Sequence, residues 1–452
     1  MPLAAHGAAR AVVFGERGPS TRAREPDNVA LVAPRAPERQ RPGQTNVATA
    51  SPGTSTDAAP PRGPLRIAIF SPYLEHIGEA KAMPVLARAL ASRGHAVDLL
   101  RVWKEWQEVE QAPPVPGVRV VSLGARRFLP VLPSIARVSK WASYRLQALL
   151  LSLAMMPGFI GYLRRERPDV VIGRMFTMPA VMGNSLARSR ACLILSMAGQ
   201  PRSSAYRDFL WPRVYPRAQG FTAPTAGVAQ MASKLARLDI DRFRIIPNPV
   251  IDGSIFALAS EPVDDPWFAG KQVPVVLGVG RLTRQKDMAT LIRAFAAVRR
   301  RRPARLLILG EGEDRPALTA LVARLGIADD VRMPGFEPNP FKFMKTADLF
   351  VMTSRWEGPG HALIEAQAVG TPAISTDCPS GPADTLLLGE AGILVPVGDV
   401  DALAAAIAHA LDHPEEMRRK AEVGQRASSR FTPDRVAAEW DAFLGEMLAR
   451  HG

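Results

Sequence analysis

A chain of 452 residues is longer than one hydrophobic core ordinarily serves, so two domains plus extras are expected. Hydrophobic residues make up 47% and the mean hydropathy is −0.01, the balance of a soluble globular protein. Cys192 and Cys378 are the only cysteines, which excludes a disulfide framework, offers no zinc spacing and suits a reducing, cytoplasmic compartment. The formal net charge of +14 and pI near 10.4 imply an acidic partner. No nucleic-acid module is present, which leaves phosphorylated ligands and peripheral association with an anionic membrane, on the inner face of the plasma membrane.

In chain order, residues 1–63 are rich in Pro, Ala, Arg, Gly, Ser and Thr and read as a disordered tail, with no apolar run of a secretory signal. Order begins with the strand Leu65–Phe70, followed by a helix from about Lys81 to Ser92 and a strand from Ala96 to Val102. Further strands are expected at Val118–Ser122, Asp169–Ile172, Ala191–Ser196 and Phe243–Ile246, with helical patterns between most of them. The basic stretches Arg126–Pro130 and Arg137–Arg145, with the uncharged run Leu146–Leu163, read either as an amphipathic surface on anionic lipid or as a buried helix pair broken at Pro157-Gly158. A hinge is expected from Asn248-Pro249-Val250 to about Gln272. The second half repeats the scheme, with strands at Val273–Val279, Arg305–Leu309, Leu349–Thr353, Pro372–Ser375 and Ile393–Val395. Its helices are expected at Met288–Arg300, Arg315–Leu325, His361–Val369 and Val400–Leu411. Alternation of this kind gives an α/β protein of two doubly wound Rossmann-like domains facing across a cleft, residues 64–255 and 256–425, with 426–452 a helix packing back toward the first.

Ligands of such sheets bind in the loops after the strands. Arg281 and Lys286 flank one such loop, and cations held there stabilise the charge that develops on a departing diphosphate. Glu357 and Glu365 bracket the Gly358-Pro359-Gly360 turn and a helix start at His361, where unpaired N–H groups and the helix dipole favour a phosphate. Two carboxylates beside a phosphate site suit the hydroxyls of a sugar and a ribose, the chemistry of a nucleotide sugar. Gly278-x-Gly280 and Gly310-Glu311-Gly312 do not complete a dinucleotide fingerprint. Asp399-Val400-Asp401 and Asp239-Ile240-Asp241 fit an Asp-x-Asp metal pattern, but the first reads better as a helix cap with a first-turn acid.

These motifs resemble the retaining nucleotide-sugar glycosyltransferases of family 4, of the kind that build bacterial polysaccharides and lipid-linked oligosaccharides. The matching pieces are Asn248–Val250, Gly280–Asp287, Gly310–Gly312, Glu357–Glu365 with Gly370–Pro372, Asp377–Pro382 and Gly392–Asp399. The resemblance covers roughly residues 64–445 and implies the GT-B fold. It implies that Arg281 and Lys286 contact the donor diphosphate, and that Glu357 contacts the transferred sugar, helped by the backbone of Gly358, Gly360, His361, Ala362 and Leu363. Glu365 would contact the ribose, with Gly280, Gly310 and Glu311 in the same donor site and Gly78 the first-domain glycine beside the phosphates. The donor would be a nucleotide diphosphate sugar, most simply of uridine, and the acceptor a glycan or lipid-linked hydroxyl, with no metal or other cofactor. The family's paired glycine is here Ile77-Gly78, and its histidine after a middle first-domain strand is absent, Arg174 standing in that loop. His76 and Arg174 are the acceptor-side candidates. A non-catalytic nucleotide-sugar-binding or scaffold protein at the membrane is the alternative.

Overall fold

The computed structural model describes residues 63–72, 78–102, 114–124, 140–175, 177–201, 203–270 and 272–451, with backbone alone for 78–81 and 140–149. His76, Ile77, the tail 1–62 and the basic residues Arg126–Arg137 lie outside the described residues.

The first domain is a seven-stranded sheet of order β3-β2-β1-β4-β5-β6-β7, parallel throughout. Its strands are β1 (Arg66–Phe70), β2 (Ala96–Arg101), β3 (Val118–Ser122), β4 (Val170–Arg174), β5 (Cys192–Ser196), β6 (Gly220–Ala223) and β7 (Phe243–Ile245). Successive side chains of a strand face opposite ways, and both faces here are covered. Ile67 and Ile69 enter one apolar cluster while Ala68 and Phe70 enter the other, and for that reason the strand reads as an unbroken apolar run. The second sheet, of order β10-β9-β8-β11-β12-β13, is also parallel. It comprises β8 (Val275–Val279), β9 (Arg305–Leu309), β10 (Val331–Gly335), β11 (Leu349–Met352), β12 (Ala373–Thr376) and β13 (Ile393–Val395).

Two of the changes the structure makes to the sequence reading concern helices of the first domain. The expected break at Pro157-Gly158 is absent, and a single helix runs from Lys140 to Glu166. Pro157 forfeits one hydrogen bond to the carbonyl four residues back, and that residue, Leu153, is 63% exposed, so water can replace the lost partner. Gly158 is there for contact: a Cβ would lie 1.8 Å from the Leu123 carbonyl oxygen. In the described part of this run one face of the helix is core, because Leu151, Met155, Phe159, Tyr162 and Leu163 are buried and Phe159 stacks on Phe70 at 4.4 Å, while Leu150 and Leu153 on the other face are exposed. The second change is Gly78, which opens the first helix, Gly78–Ser92, instead of lying in the loop before it.

The chain crosses between the sheets twice. After β7, Val250 and Ile251 donate their N–H groups to the Phe431 carbonyl at 3.0 and 3.2 Å. The C-terminal helix Pro433–His451 then returns to the first domain, burying Val436, Trp440, Phe443 and Leu444 with Ile67, Ile69 and Ile194. Gly220 on β6 leaves room for Phe443, since a Cβ would come within 2.8 Å of its ring.

Asp441 of that helix is buried and pairs with His95 Nε2 at 2.9 Å and with Arg93. The Leu65 N–H bonds His95 Nδ1 at 3.1 Å, so Nε2 carries the hydrogen that faces Asp441. Burial alone pushes the Asp441 carboxyl up, but hydrogen bonds from His95 and Arg93 outweigh it and hold the group below the usual carboxylate range. A depressed folded value means that this stabilisation is complete above the unfolded value, about 3.9, and is lost as pH falls through the folded one. Asp441→Ala strands a buried N–H and removes the anion, so urea unfolding at pH 7 should show a loss of about 3 kcal/mol. The deficit relative to the parent should shrink on acidification below about pH 4.

Candidate active site

Doubly wound sheets leave a crevice where the winding reverses, because loops from the two flanking strands leave toward opposite faces. In the second sheet that point lies between β8 and β11, and the loops 280–287 and 353–360 follow those strands. They are stitched together mostly through backbone. The Arg355 N–H donates to the Gln285 carbonyl at 2.8 Å, and Gln285 Nε2 donates to the Trp356 carbonyl at 2.9 Å. The Thr353 hydroxyl sits 3.0 Å from the carbonyls of both Lys286 and Asp287. Asp287, in the left-handed region at φ 48°, is buried, accepts from Thr290 Oγ1 at 2.9 Å and pairs with Arg355 at 2.8 Å.

This scaffold sets Lys286 Nζ 2.5 Å from Glu357 Oε1, which also accepts from Ser354 Oγ at 2.6 Å. Glu357 is 7% exposed and Ser354 fully buried, so these partners replace the water that the carboxylate loses on burial. Oε2 has no partner among the described residues and remains an acceptor for a hydroxyl. Arg281 is exposed, and no carboxylate among the described residues pairs with it. Gly360 adopts φ 74° at the start of the helix His361–Ala368 and supplies no side-chain cap. The N–H groups of Gly358, Gly360, His361 and Ala362 find no acceptor among the described residues, which leaves a donor cluster at a positive helix end. Glu365 is half-buried one turn beyond His361.

Other expected contacts resolve differently. Leu363 is fully buried among Phe343, Phe350 and Leu386, and its N–H is taken by the Gly360 carbonyl at 2.9 Å, so it supports the turn from behind and has no group left for a ligand. The Glu311 carboxylate turns away to Arg315 at 2.7 Å, because a cation four residues on lies on its own side of the chain. Its carbonyl instead anchors the Leu282 N–H at 2.8 Å. Gly310, at φ 143°, packs under the phosphate-side loop, where a Cβ would stand 2.0 Å from the Gly280 carbonyl oxygen. Asp399 caps its helix by accepting from the Ala402 N–H at 2.9 Å, and Asp239 caps a turn at Asp241. Among the described residues no three His, Cys, Asp or Glu side chains converge as a metal site would require. Burial, reinforced by the Glu357 charge, pushes the Cys378 thiol up to about 12, and burial pushes Cys192 to about 11, so both remain unreactive thiols.

The first domain faces this site directly. Gly358 lies against Gly199, whose Cα would be 3.4 Å from a Cβ at 358, and Thr225 Oγ1 donates to the Ser380 carbonyl at 3.2 Å. Gly227 permits the same approach, since a Cβ there would come 2.9 Å from Ser380 Cα. Asn248 Nδ2 reaches His361 Nε2 at 3.1 Å, and Arg174, buried at the end of β4, reaches Asn248 Oδ1 at 3.0 Å. The sequence marks Asn248 only as part of a motif and Ser354 only as the start of a loop after a strand, with no site role for either. Neither residue type signals a role until the fold sets it beside a charge.

Two facing doubly wound domains, with a cation–carboxylate pair at the second sheet's reversal point and free amides at a helix start beside it, are the architecture of the GT-B fold. Residues 78–249 match the family model described as Glycosyl transferase 4-like domain, and residues 263–427 match Glycosyl transferases group 1. The lipopolysaccharide core biosynthesis glycosyltransferase LpsE of Rhizobium meliloti is 30% identical over 288 residues, 63% of this chain and 77% of that one. The chain belongs to glycosyltransferase family 4. Among solved structures, a glycosyltransferase from Rickettsia africae superposes with a TM-score of 0.67 at 16% identity, covering 85% of this chain and 99% of that one. Anabaena HepE in complex with UDP gives 0.62 at 17% identity, over 85% and 99%.

Gly310→Ala should cost about 3 kcal/mol, because the methyl group overlaps the Gly280 carbonyl and the positive φ is strained for alanine. Urea unfolding checks this, and a stability unchanged from the parent would mean that the two strand ends are not in contact.

Proposed function

We propose that this glycosyltransferase moves a hexose or N-acetylhexosamine from a nucleotide diphosphate donor, uridine being the base, to a hydroxyl of a glycan or lipid-linked acceptor, with retention at the anomeric carbon. One observation carries the reading: Lys286 and Glu357 meet at the reversal point of the second sheet, with unspent backbone amides at the helix start after Glu357 and Arg281 in the same loop as Lys286. Lys286, Arg281 and the amides would neutralise the diphosphate as its bridging bond to the anomeric carbon breaks, with no metal required. Oε2 of Glu357 would hold a hydroxyl of the sugar, and Glu365 the ribose. Departure and attack on one face, as the family resemblance implies, would need no second carboxylate as nucleophile. The bond from the anomeric carbon to the phosphate oxygen breaks, the acceptor oxygen bonds that carbon from the same side, and its proton passes to the leaving phosphate. The likeness to LpsE supports a role in cell-envelope polysaccharide synthesis, and the UDP bound by HepE supports the uridine donor.

Lys286→Ala should lower kcat by about 10²- to 10³-fold, the loss seen when one stabiliser of developing negative charge is removed. Glu365→Ala should instead raise the donor KM about tenfold. Both are measured with radiolabelled UDP-sugars and membrane-extract acceptors, and unchanged donor kinetics in both variants would refute the site. Retained UDP binding with neither hydrolysis nor transfer in the parent would instead support a non-catalytic binding protein.

The reading includes docking on an anionic membrane. No helix among the described residues is long and apolar enough to cross a bilayer. The helix Lys140–Glu166 and its neighbour Thr177–Ala187 nevertheless expose Leu150, Leu153, Met182 and Leu186, with Arg164, Arg165, Arg188 and Arg190 exposed on the same pair and the loop after it. Apolar side chains rimmed by arginines suit an interface of acidic headgroups. Co-flotation with vesicles containing phosphatidylglycerol should fall about tenfold in a Leu153→Ser/Leu186→Ser double variant, with neutral vesicles binding neither protein.

A further inference from the structure

Arg174 occupies the carboxyl end of β4, beside the point where the first sheet reverses its winding between β1 and β4. It is 3% exposed, and a buried guanidinium must direct its N–H groups at acceptors. Nη1 donates to Ser196 Oγ at 2.8 Å and Nη2 to Asn248 Oδ1 at 3.0 Å. Because a guanidinium can only donate, the Asn248 amide has to present its oxygen to Arg174, and its NH2 therefore faces the other way. That NH2 meets His361 Nε2 at 3.1 Å. An amide nitrogen cannot accept, so Nε2 does, and the ring hydrogen resides on Nδ1. Nδ1 has no acceptor among the described residues. The ring belongs to the first residue of the helix whose free amides border Lys286 and Glu357.

We propose that Arg174 is a positioning residue which, acting through Asn248, holds the His361 ring neutral with its hydrogen on Nδ1, and that this N–H donates to an oxygen of the bound nucleotide sugar. The proposal rests on the donor-site reading above and deepens it. It gives Arg174 a role on the donor side although the residue comes from the opposite domain. It also makes the tautomer of a second-domain ring depend on the two domains meeting. The charged groups that act on the ring are Arg174 from β4, Lys286 from the loop after β8 and Glu357 from the loop after β11. Burial pushes the imidazole down to about 4, with Arg174 and Lys286 acting in the same direction and Glu357 against them.

Long-range proton–nitrogen NMR spectra of the full chain, with His361 assigned through His361→Gln, test both halves. Between about pH 5.5 and 8, parent His361 should remain in the Nδ1–H form, and saturating UDP-glucose should shift its Nδ1 resonance. Arg174→Met frees the amide to rotate, so His361 should lose the fixed tautomer and titrate nearer 6.5. Arg174→Lys, which keeps a buried donor, should restore the Nδ1–H form. Should Arg174→Met fail to fold, Asn248→Asp serves in its place: a carboxylate accepts from Arg174 and from the ring alike, so His361 should become protonated near neutral pH. An Nε2–H ring in the parent, or one titrating near 6.5 with Arg174 in place, overturns the lock. A correct tautomer whose resonance stays put while backbone shifts report bound UDP-glucose overturns the donation. If the parent binds no nucleotide, the donor reading falls and the donation with it, while the tautomer still decides the role of Arg174.

Discussion

The contact on which the candidate site depends is the ion pair between Lys286 and Glu357 across the second sheet's reversal point. Neither residue would be stable there alone. A carboxylate 7% exposed needs a cation and a hydroxyl, and Lys286 and Ser354 provide them. Those partners are in place because the loops after β8 and β11 are tied by the Arg355 N–H on the Gln285 carbonyl, by the Gln285 side chain on the Trp356 carbonyl and by the Arg355–Asp287 ion pair. These ties fix the two loops to each other at the crevice, the kind of preorganisation that electrostatic stabilisation without reorganisation requires.

Close backbone approach is the second constraint, and it explains where glycine is indispensable. Gly310 under Gly280 lets the end of β9 support the loop after β8, and Gly381 lies so near Gly358 that a Cβ would stand 2.0 Å from its carbonyl oxygen. Gly227 does the same between the domains, where a Cβ would come 2.9 Å from Ser380 Cα. The return of the C-terminal helix adds a covalent link to these contacts. With Asp441 held by Arg93 and His95, the last residues of the chain belong to the first domain's core, so the domains are joined at two crossings. The Arg174–Asn248–His361 chain then carries a polar connection from one reversal point to the other.

Much of the fold was legible because both sheets are parallel and buried on both faces. Runs such as Ile67–Phe70 and Leu306–Leu309 are apolar at every position, and the helices between them carry a helical period. Two strands escaped notice for physical reasons. β10 is a partly exposed edge strand with Pro334 inside it and an irregular register, and edge positions tolerate what central strands reject. β6 is only Gly220–Ala223, too short to show a period. Pro157 was overread, because local rules predict a break but cannot see that packing of Phe159 and Tyr162 on the sheet outweighs one lost hydrogen bond.

At the site, sequence alone determined the chemistry available in the second domain. Residue types at short spacing, Arg281 with Lys286 and Glu357 with the Gly-Pro-Gly turn, already specify cations, a carboxylate and a helix start within single loops. Only tertiary structure decided who meets whom. Lys286 and Glu357 are 71 positions apart, Asn248 and His361 are 113 apart, and Arg174 and Asn248 are 74 apart. No local pattern encodes such pairings, because they follow from strand order and domain closure. The same holds for Glu311 and Leu363, which sit within donor motifs yet turn to Arg315 and to the core, since a side chain's partner is set by which neighbour relieves its charge or buries its carbon.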